Sequence, residues 1–174
     1  QGFVAGESEA PPGAQKIAVF ALDTGALVKT IPLDDVADRK ASFLNDIAVD
    51  EERKLAYVSD SGLRSAPANQ AALIVVDLAS GNARRVLDRH ASVMPEAGAT
   101  VLSHGEQVWP GKPLVLGVNG IALSPDASTL YWTITSGTRA YAVPTALLRD
   151  RLAEPAQVEA AVRDQFDHFL SDNM

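Results

Sequence analysis

The sequence predicts an all-β fold of short antiparallel sheets, because one strand–turn–strand pattern recurs along the chain. KIAVFALDTG at residues 16–25 and ALIVVDLASG at residues 72–81 share an apolar strand, an acidic residue and a closing glycine. Each is followed by a second strand-like segment, residues 26–33 and 82–87. Aspartate favours turn backbones and glycine accepts positive φ. A two-stranded hairpin alone is marginally stable, so both hairpins are expected to belong to larger sheets.

A second pattern recurs 74 residues apart, at NDIAVDEERKLAYVSDSG (residues 45–62) and NGIALSPDASTLYWTITSG (residues 119–137). Aligning Asn45 with Asn119 also aligns Ile47 with Ile121, and it places one extra residue in the second turn. Strand, turn, strand, loop, strand, turn and strand in this order is typical of the four-stranded antiparallel blade of a β-propeller. An independent β-sandwich is the alternative fold.

The C-terminal part of the chain has a different composition. Residues 145–169 are rich in Ala, Leu, Glu and Arg, and Pro155 fits the first turn of a helix starting near Glu154. We therefore expect a short helical insertion between two blades. The predicted units are blades at about 16–43, 44–117 and 118–145, the insertion at 146–169, and the start of another blade at 170–174. We thus expect an incomplete propeller of about two to three blades.

Composition narrows the range of partners. The chain of 174 residues has 15 Lys and Arg against 22 Asp and Glu, a net charge of −7, which disfavours phosphate backbones and predicts no nucleic-acid partner. No apolar run approaches the roughly 20 residues of a transmembrane helix, which predicts no membrane insertion. The absence of cysteine excludes thiolate catalysis and cysteine-based zinc sites. The sequence does not indicate an oligomeric state.

Several segments resemble, in order, the yellow/major royal jelly protein family and its bacterial members. They are SFLNDIAVD (42–50), AYVSD (56–60), LIVVDL (73–78), GVNGIALSP (117–125) and YAVPT (141–145). The resemblance implies a six-bladed propeller, of which this chain is a part, with a ligand pocket at the mouth of the central channel. It also implies a secreted or periplasmic protein and an architecture related to the SMP-30/gluconolactonase propellers.

Three functions are compatible with this resemblance. The first is small-molecule binding at the channel mouth, with small amines among the ligands of the family and catalysis unproven. The second is a divalent-metal-dependent reaction, either lactonase-like hydrolysis or dopachrome-converting isomerisation. The third is a non-catalytic scaffold. Fold alone does not choose among them.

The resemblance also implies a site. In the lactonase relatives a Glu, two Asn and an Asp hold a divalent cation; the matching positions here are Asn45, Asn119 and Asp172, with the Glu outside this chain. Amide and carboxylate oxygens suit Ca²⁺ or another hard divalent cation such as Mg²⁺. Asp46 is a further candidate, so the predicted ligand-binding set is Asn45, Asp46, Asn119 and Asp172. Alternatively, Asn and Asp before a strand bind only local backbone.

Other polar and aromatic residues have structural roles in this interpretation. Asp60 and Asp77 are expected to close turns. Four aromatic side chains are expected to pack between blades: Tyr57, Trp109, Tyr131 and Trp132.

Overall fold

The computed structural model describes residues 8–108, 110–111 and 114–165, which form four antiparallel sheets. The strands are β1 (Lys16–Phe20), β2 (Leu27–Pro32), β3 (Leu44–Asp50), β4 (Leu55–Asp60), β5 (Ala72–Asp77), β6 (Ala83–Val86), β7 (Leu102–Ser103), β8 (Glu106–Gln107), β9 (Val118–Leu123), β10 (Thr129–Ile134), β11 (Ala140–Pro144) and β12 (Arg163–Asp164). The helices are α1 (Thr145–Arg149) and α2 (Pro155–Ala160). Neither helix has the length and apolar composition that a bilayer span requires.

Two of the sheets are four-stranded and follow the chain in a meander. The first has the order β3-β4-β5-β6 and the second β9-β10-β11-β12, with every neighbouring pair antiparallel. β1 and β2 form a hairpin that precedes the first blade, and β7 and β8 form a small hairpin in the connection between the blades. The predicted all-β fold, part of a β-propeller, is confirmed.

Repetition of the hairpin pattern has a structural basis in the turns. The backbone N–H of Gly25 donates to the carbonyl of Ala21 at 2.8 Å, and Gly81 donates to Asp77 in the same way at 2.7 Å. Both glycines have positive φ, 66° and 82°, which a glycine adopts at little steric cost. β1 and β2 are therefore equivalent to the third and fourth strands of a blade.

The predicted boundaries of the last unit need correction. The chain leaves β11, forms α1 and α2, and returns as β12, which pairs with β11 through Tyr141 and Ala142. The helical insertion thus lies inside the second blade, between its third and fourth strands, and not between two blades. The predicted start of another blade at 170–174 lies outside the described residues.

The helices fill the space between the two blades. β9 packs against β3 and β4, so the sheets approach each other at their first strands. Leu148 of α1 and Val158 of α2 are buried in the hydrophobic core that also contains residues of both blades. The α2 N-terminus begins as predicted, with Glu154 as N-cap and Pro155 in the first turn.

Burial patterns show which sheet faces are covered. β4 and β5 are buried at nearly every position, because one core separates the first blade from the hairpin and another separates it from the second blade. β10 instead alternates between buried and accessible residues, as expected for a sheet covered on one face. The first blade is therefore the central layer of the described structure.

Gly117 is required where the long connection between the blades enters β9. A Cβ atom there would lie 2.6 Å from the carbonyl oxygen of Val93 and 2.7 Å from Cβ of Ala71. Gly117→Ala is expected to lower the free energy of unfolding by about 1–3 kcal/mol, since overpacking displaces backbone. Urea unfolding measures the loss. The control is Gly120→Ala, where the nearest atom is 3.6 Å away; equal losses in both variants would contradict the steric explanation.

Candidate functional site

The first strand of each complete blade begins with a β-bulge at the same position. In the first blade Leu44 pairs with Asp60 and Ile47 with Val58, so two residues of β3 lie opposite Ser59 alone. In the second blade Val118 pairs with Ile134 and Ile121 with Trp132, which repeats the arrangement opposite Thr133. A bulge of this kind bends the strand and redirects its side chains.

The bulges align the sequence-predicted residues in space. Asn45 and Asn119 are the first bulged residues of β3 and β9, and Asp46 and Gly120 are the second. The strand register agrees with the predicted alignment of Ile47 with Ile121. It corrects the turn, however, because ten residues lie between the paired positions in both blades, Ile47 to Val58 and Ile121 to Trp132, so the second turn has no extra residue.

Asp46 joins the two blades at this point. Its Oδ1 accepts a hydrogen bond from the backbone N–H of Ile47 at 2.8 Å, and its Oδ2 accepts one from Ile121 at 3.0 Å. The Asp46 backbone N–H donates to Ser59 Oγ at 2.9 Å. The two bonds to the Asp46 carboxylate are charge-assisted and are therefore stronger than neutral hydrogen bonds. One carboxylate therefore holds the first strands of neighbouring blades together.

The two asparagines differ in their surroundings. Asn119 is half-buried, and its Nδ2 donates to Thr135 Oγ1 at 2.6 Å, so its Oδ1 is the acceptor left to the side chain. Asn45 is exposed and lines, together with Asp46, a cavity of about 230 Å³ between β1 and the start of β3. The structure thus places both amides at the beginning of adjacent first strands. Asp172 lies outside the described residues.

The described oxygen donors do not complete a cation site. Asn45 and Asn119 supply two amide oxygens, whereas Ca²⁺ takes about six to eight oxygen ligands. Within the residues that the structure describes, no group of three His, Asp or Glu side chains lies close enough together to hold a metal ion. The roles of Asn45, Asn119 and Asp172 as metal ligands therefore stay predictions.

Asp60 has a role that the sequence did not reveal. Instead of closing only a turn, it is fully buried and pairs with Arg85 of β6 at 2.6 Å. Burial lowers the pKa of Arg85, but the charges and hydrogen bonds of Asp60 and Asp88 together outweigh it and the net shift is upward. Asp77, in contrast, closes the β5–β6 turn as predicted, since its Oδ1 accepts from the N–H groups of Ala79 and Ser80.

The aromatic residues follow the prediction only in part. Tyr57 and Trp132 are buried in the core between the blades, as expected. Tyr131 is 39% exposed and is not part of the core between the two described blades, so its packing against another blade stays a prediction. Its side chain lies on the face of β10 that is accessible to solvent, opposite the buried face. Trp109 lies outside the described residues.

A comparison with models of protein families identifies the family of this chain. A family model described as "Major royal jelly protein" matches residues 5–170. The chain belongs to the major royal jelly protein family. A search of curated protein sequences finds no significant match. Membership in the major royal jelly protein family agrees with the repeated blades, and the match extends over both bulges and the residues that they carry.

Proposed function

We propose that this member of the major royal jelly protein family binds a small molecule where the first strands of its blades begin. The observation that carries the proposal is the repeated bulge, which presents Asn45 and Asn119 at equivalent positions of adjacent blades. Binding sites commonly combine a few fixed polar groups with a preformed concave surface. The family also supports an exported protein, and in the proposal neither nucleic acid nor the bilayer interior is a partner.

The chemistry of these groups favours a ligand that donates hydrogen bonds. The Asn119 amide oxygen and the Asp46 carboxylate are acceptors, and the chain as a whole has a net charge of −7. The Asp46 bonds to two backbone N–H groups fix the carboxylate before any ligand arrives, which reduces the entropy lost on binding. A small aromatic amine, with an ammonium group as donor, fits this acceptor set.

Calorimetric titration with tyramine tests the proposal. We expect the wild-type chain to bind tyramine and to bind tyrosol, which has a hydroxyl in place of the amine, much more weakly. Asn119→Ala is expected to weaken tyramine binding about tenfold, since a hydrogen bond to a charged group contributes about 1.5–3 kcal/mol. The matched control is Asn82→Ala, an exposed asparagine in the β5–β6 turn, which should bind like wild type.

Two outcomes would reject amine binding at this site. One is equal affinity for tyramine and tyrosol, and the other is an equal loss of affinity in Asn82→Ala and Asn119→Ala. A parallel titration with CaCl₂ addresses the metal-dependent alternative. Calcium binding that is lost in both Asn45→Ala and Asn119→Ala would favour that alternative over a metal-free ligand site.

A further inference from the structure

A second cavity lies at the opposite end of the blades from Asn45 and Asn119. It has a volume of about 220 Å³ and opens between the outer strands of the first blade and α1 of the second blade. Leu55, which pairs with Asp50 at the far end of β3 from Asn45, lies on its wall. This cavity is therefore separate from the site proposed above.

Three arginines and one carboxylate line this cavity. The arginines are Arg84 of β6, Arg149 at the end of α1 and Arg151 just after it, and the carboxylate is Asp77. Asp77 is largely committed to its own turn, since Oδ1 accepts two backbone hydrogen bonds. Its Oδ2 forms an ion pair with Arg151 Nη2 at 3.6 Å, a distance longer than a hydrogen bond. The wall is thus cationic in a chain that is acidic overall.

Only some of the donors of these guanidinium groups are hydrogen-bonded within the described chain. Arg84 uses Nη2 alone, donating to the carbonyls of Leu148 at 2.7 Å and Asp150 at 2.8 Å and, less closely, to Leu147. Arg149 uses Nη1 alone, donating to Thr145 Oγ1 at 2.7 Å. Within the described chain, Nε and Nη1 of Arg84 have no acceptor, whereas Arg149 also lies close enough to the Tyr57 hydroxyl to act on its pKa. These two Arg84 donors lie on different edges of the guanidinium, so each can donate a separate hydrogen bond to an anion.

Repulsion between neighbouring arginines also favours the binding of an anion. Burial lowers the pKa of Arg84; the nearby Asp150 opposes that shift, and Arg151 strengthens it. The charge of Arg149 helps to lower the pKa of Asp50, and Asp50 is already paired with Arg53. An anion between the arginines would offset their mutual repulsion. The remaining wall is apolar and includes Leu55, Val75 and Leu148.

We propose that this cavity binds a small organic anion, a carboxylate carried on a short apolar skeleton. The carboxylate would accept hydrogen bonds from Arg84 and Arg149 on the cavity wall, and the skeleton would lie on Leu55, Val75 and Leu148. Because α1 and Arg84 belong to different blades, the ligand would touch both of them.

Binding of benzoate tests the site, with its neutral analogue benzamide as the ligand control. Calorimetry is expected to show benzoate binding to the wild-type chain and at least fivefold weaker binding of benzamide. Amide chemical shifts of residues 77–84 and 147–151 are expected to move on addition of benzoate. Tighter binding of inorganic phosphate than of benzoate would overturn the proposed ligand class, and no benzoate binding would overturn the site.

Arginine variants separate this site from general attraction of anions. Arg151→Gln changes an exposed side chain and is expected to weaken benzoate binding about fivefold, whereas Arg151→Lys keeps the charge and should recover most of the affinity. Arg149→Gln is expected to weaken it about tenfold. Arg89→Gln removes the same charge at an exposed arginine outside the cavity. An equal loss in Arg89→Gln would overturn the proposal.

Discussion

Replacing Asp60 with alanine is expected to lower the free energy of unfolding by about 3–5 kcal/mol, because it removes the buried carboxylate that pairs with a largely buried arginine. Asp60 Oδ2 accepts from Arg85 Nη1 at 2.6 Å and from Ser42 Oγ at 2.5 Å. Its Oδ1 accepts from the backbone N–H groups of Phe43 and Gly62. The variant would remove the acceptor of the Ser42, Phe43 and Gly62 donors, and it would leave Arg85 Nη1 with only the carbonyl of Val36.

The same arginine provides the control for this prediction. Arg85 also bonds Asp88, at 2.9–3.0 Å, but the Asp88 side chain is 45% exposed. Exposed ion pairs contribute about 0–1 kcal/mol, so Asp88→Ala should lower stability by no more than that. Urea unfolding followed by circular dichroism compares the two variants. Similar losses would show that the buried position of Asp60 is not what makes its pairing important.

Trp132→Ala is also expected to lower the free energy of unfolding by about 3–5 kcal/mol, because it leaves a cavity in the core between the blades. The indole is 1% exposed, its Nε1 donates to the carbonyl of Ser92 at 2.7 Å, and its ring stacks on Tyr141 with centroids 6.0 Å apart. The variant therefore loses apolar burial and leaves a buried carbonyl without its donor.

Adjacent Tyr131 is the matched control for Trp132. It belongs to the same strand and is 39% exposed, so Tyr131→Ala should lower the free energy of unfolding by less than about 1.5 kcal/mol. Both variants are measured by urea unfolding at equal protein concentration. A loss for Tyr131→Ala as large as that for Trp132→Ala would mean that the position between the blades does not determine the cost.

The sequence predicted the local elements well because their signals are local. Turn glycines such as Gly25 and Gly81 and the alternating apolar residues of β3 and β9 identify hairpins without reference to the rest of the chain. The equivalence of Asn45 and Asn119 was predictable for the same reason, since each comes directly before a recognisable strand. The bulges themselves could not be predicted, because register depends on the partner strand.

Features that depend on distant residues were missed. β12 is two residues long and follows two helices, so it has no strand pattern, and only pairing with β11 defines it. Asp60 precedes a Ser-Gly pair and therefore has the composition of a turn; Arg85, its partner, is 25 residues away. The cationic cavity was missed as well, because Arg84 and Arg149 meet only when α1 folds against β6.

The Asp46 bridge has a consequence for how the blades move. A blade that tilted about its own long axis would pull the N–H of Ile121 away from the Asp46 carboxylate and lose a charge-assisted bond. Small rotations of neighbouring blades are therefore correlated rather than independent. Thermal motion at the starts of β3 and β9 should consequently be concerted, so that the spacing between Asn45 and Asn119 varies less than the position of either residue alone.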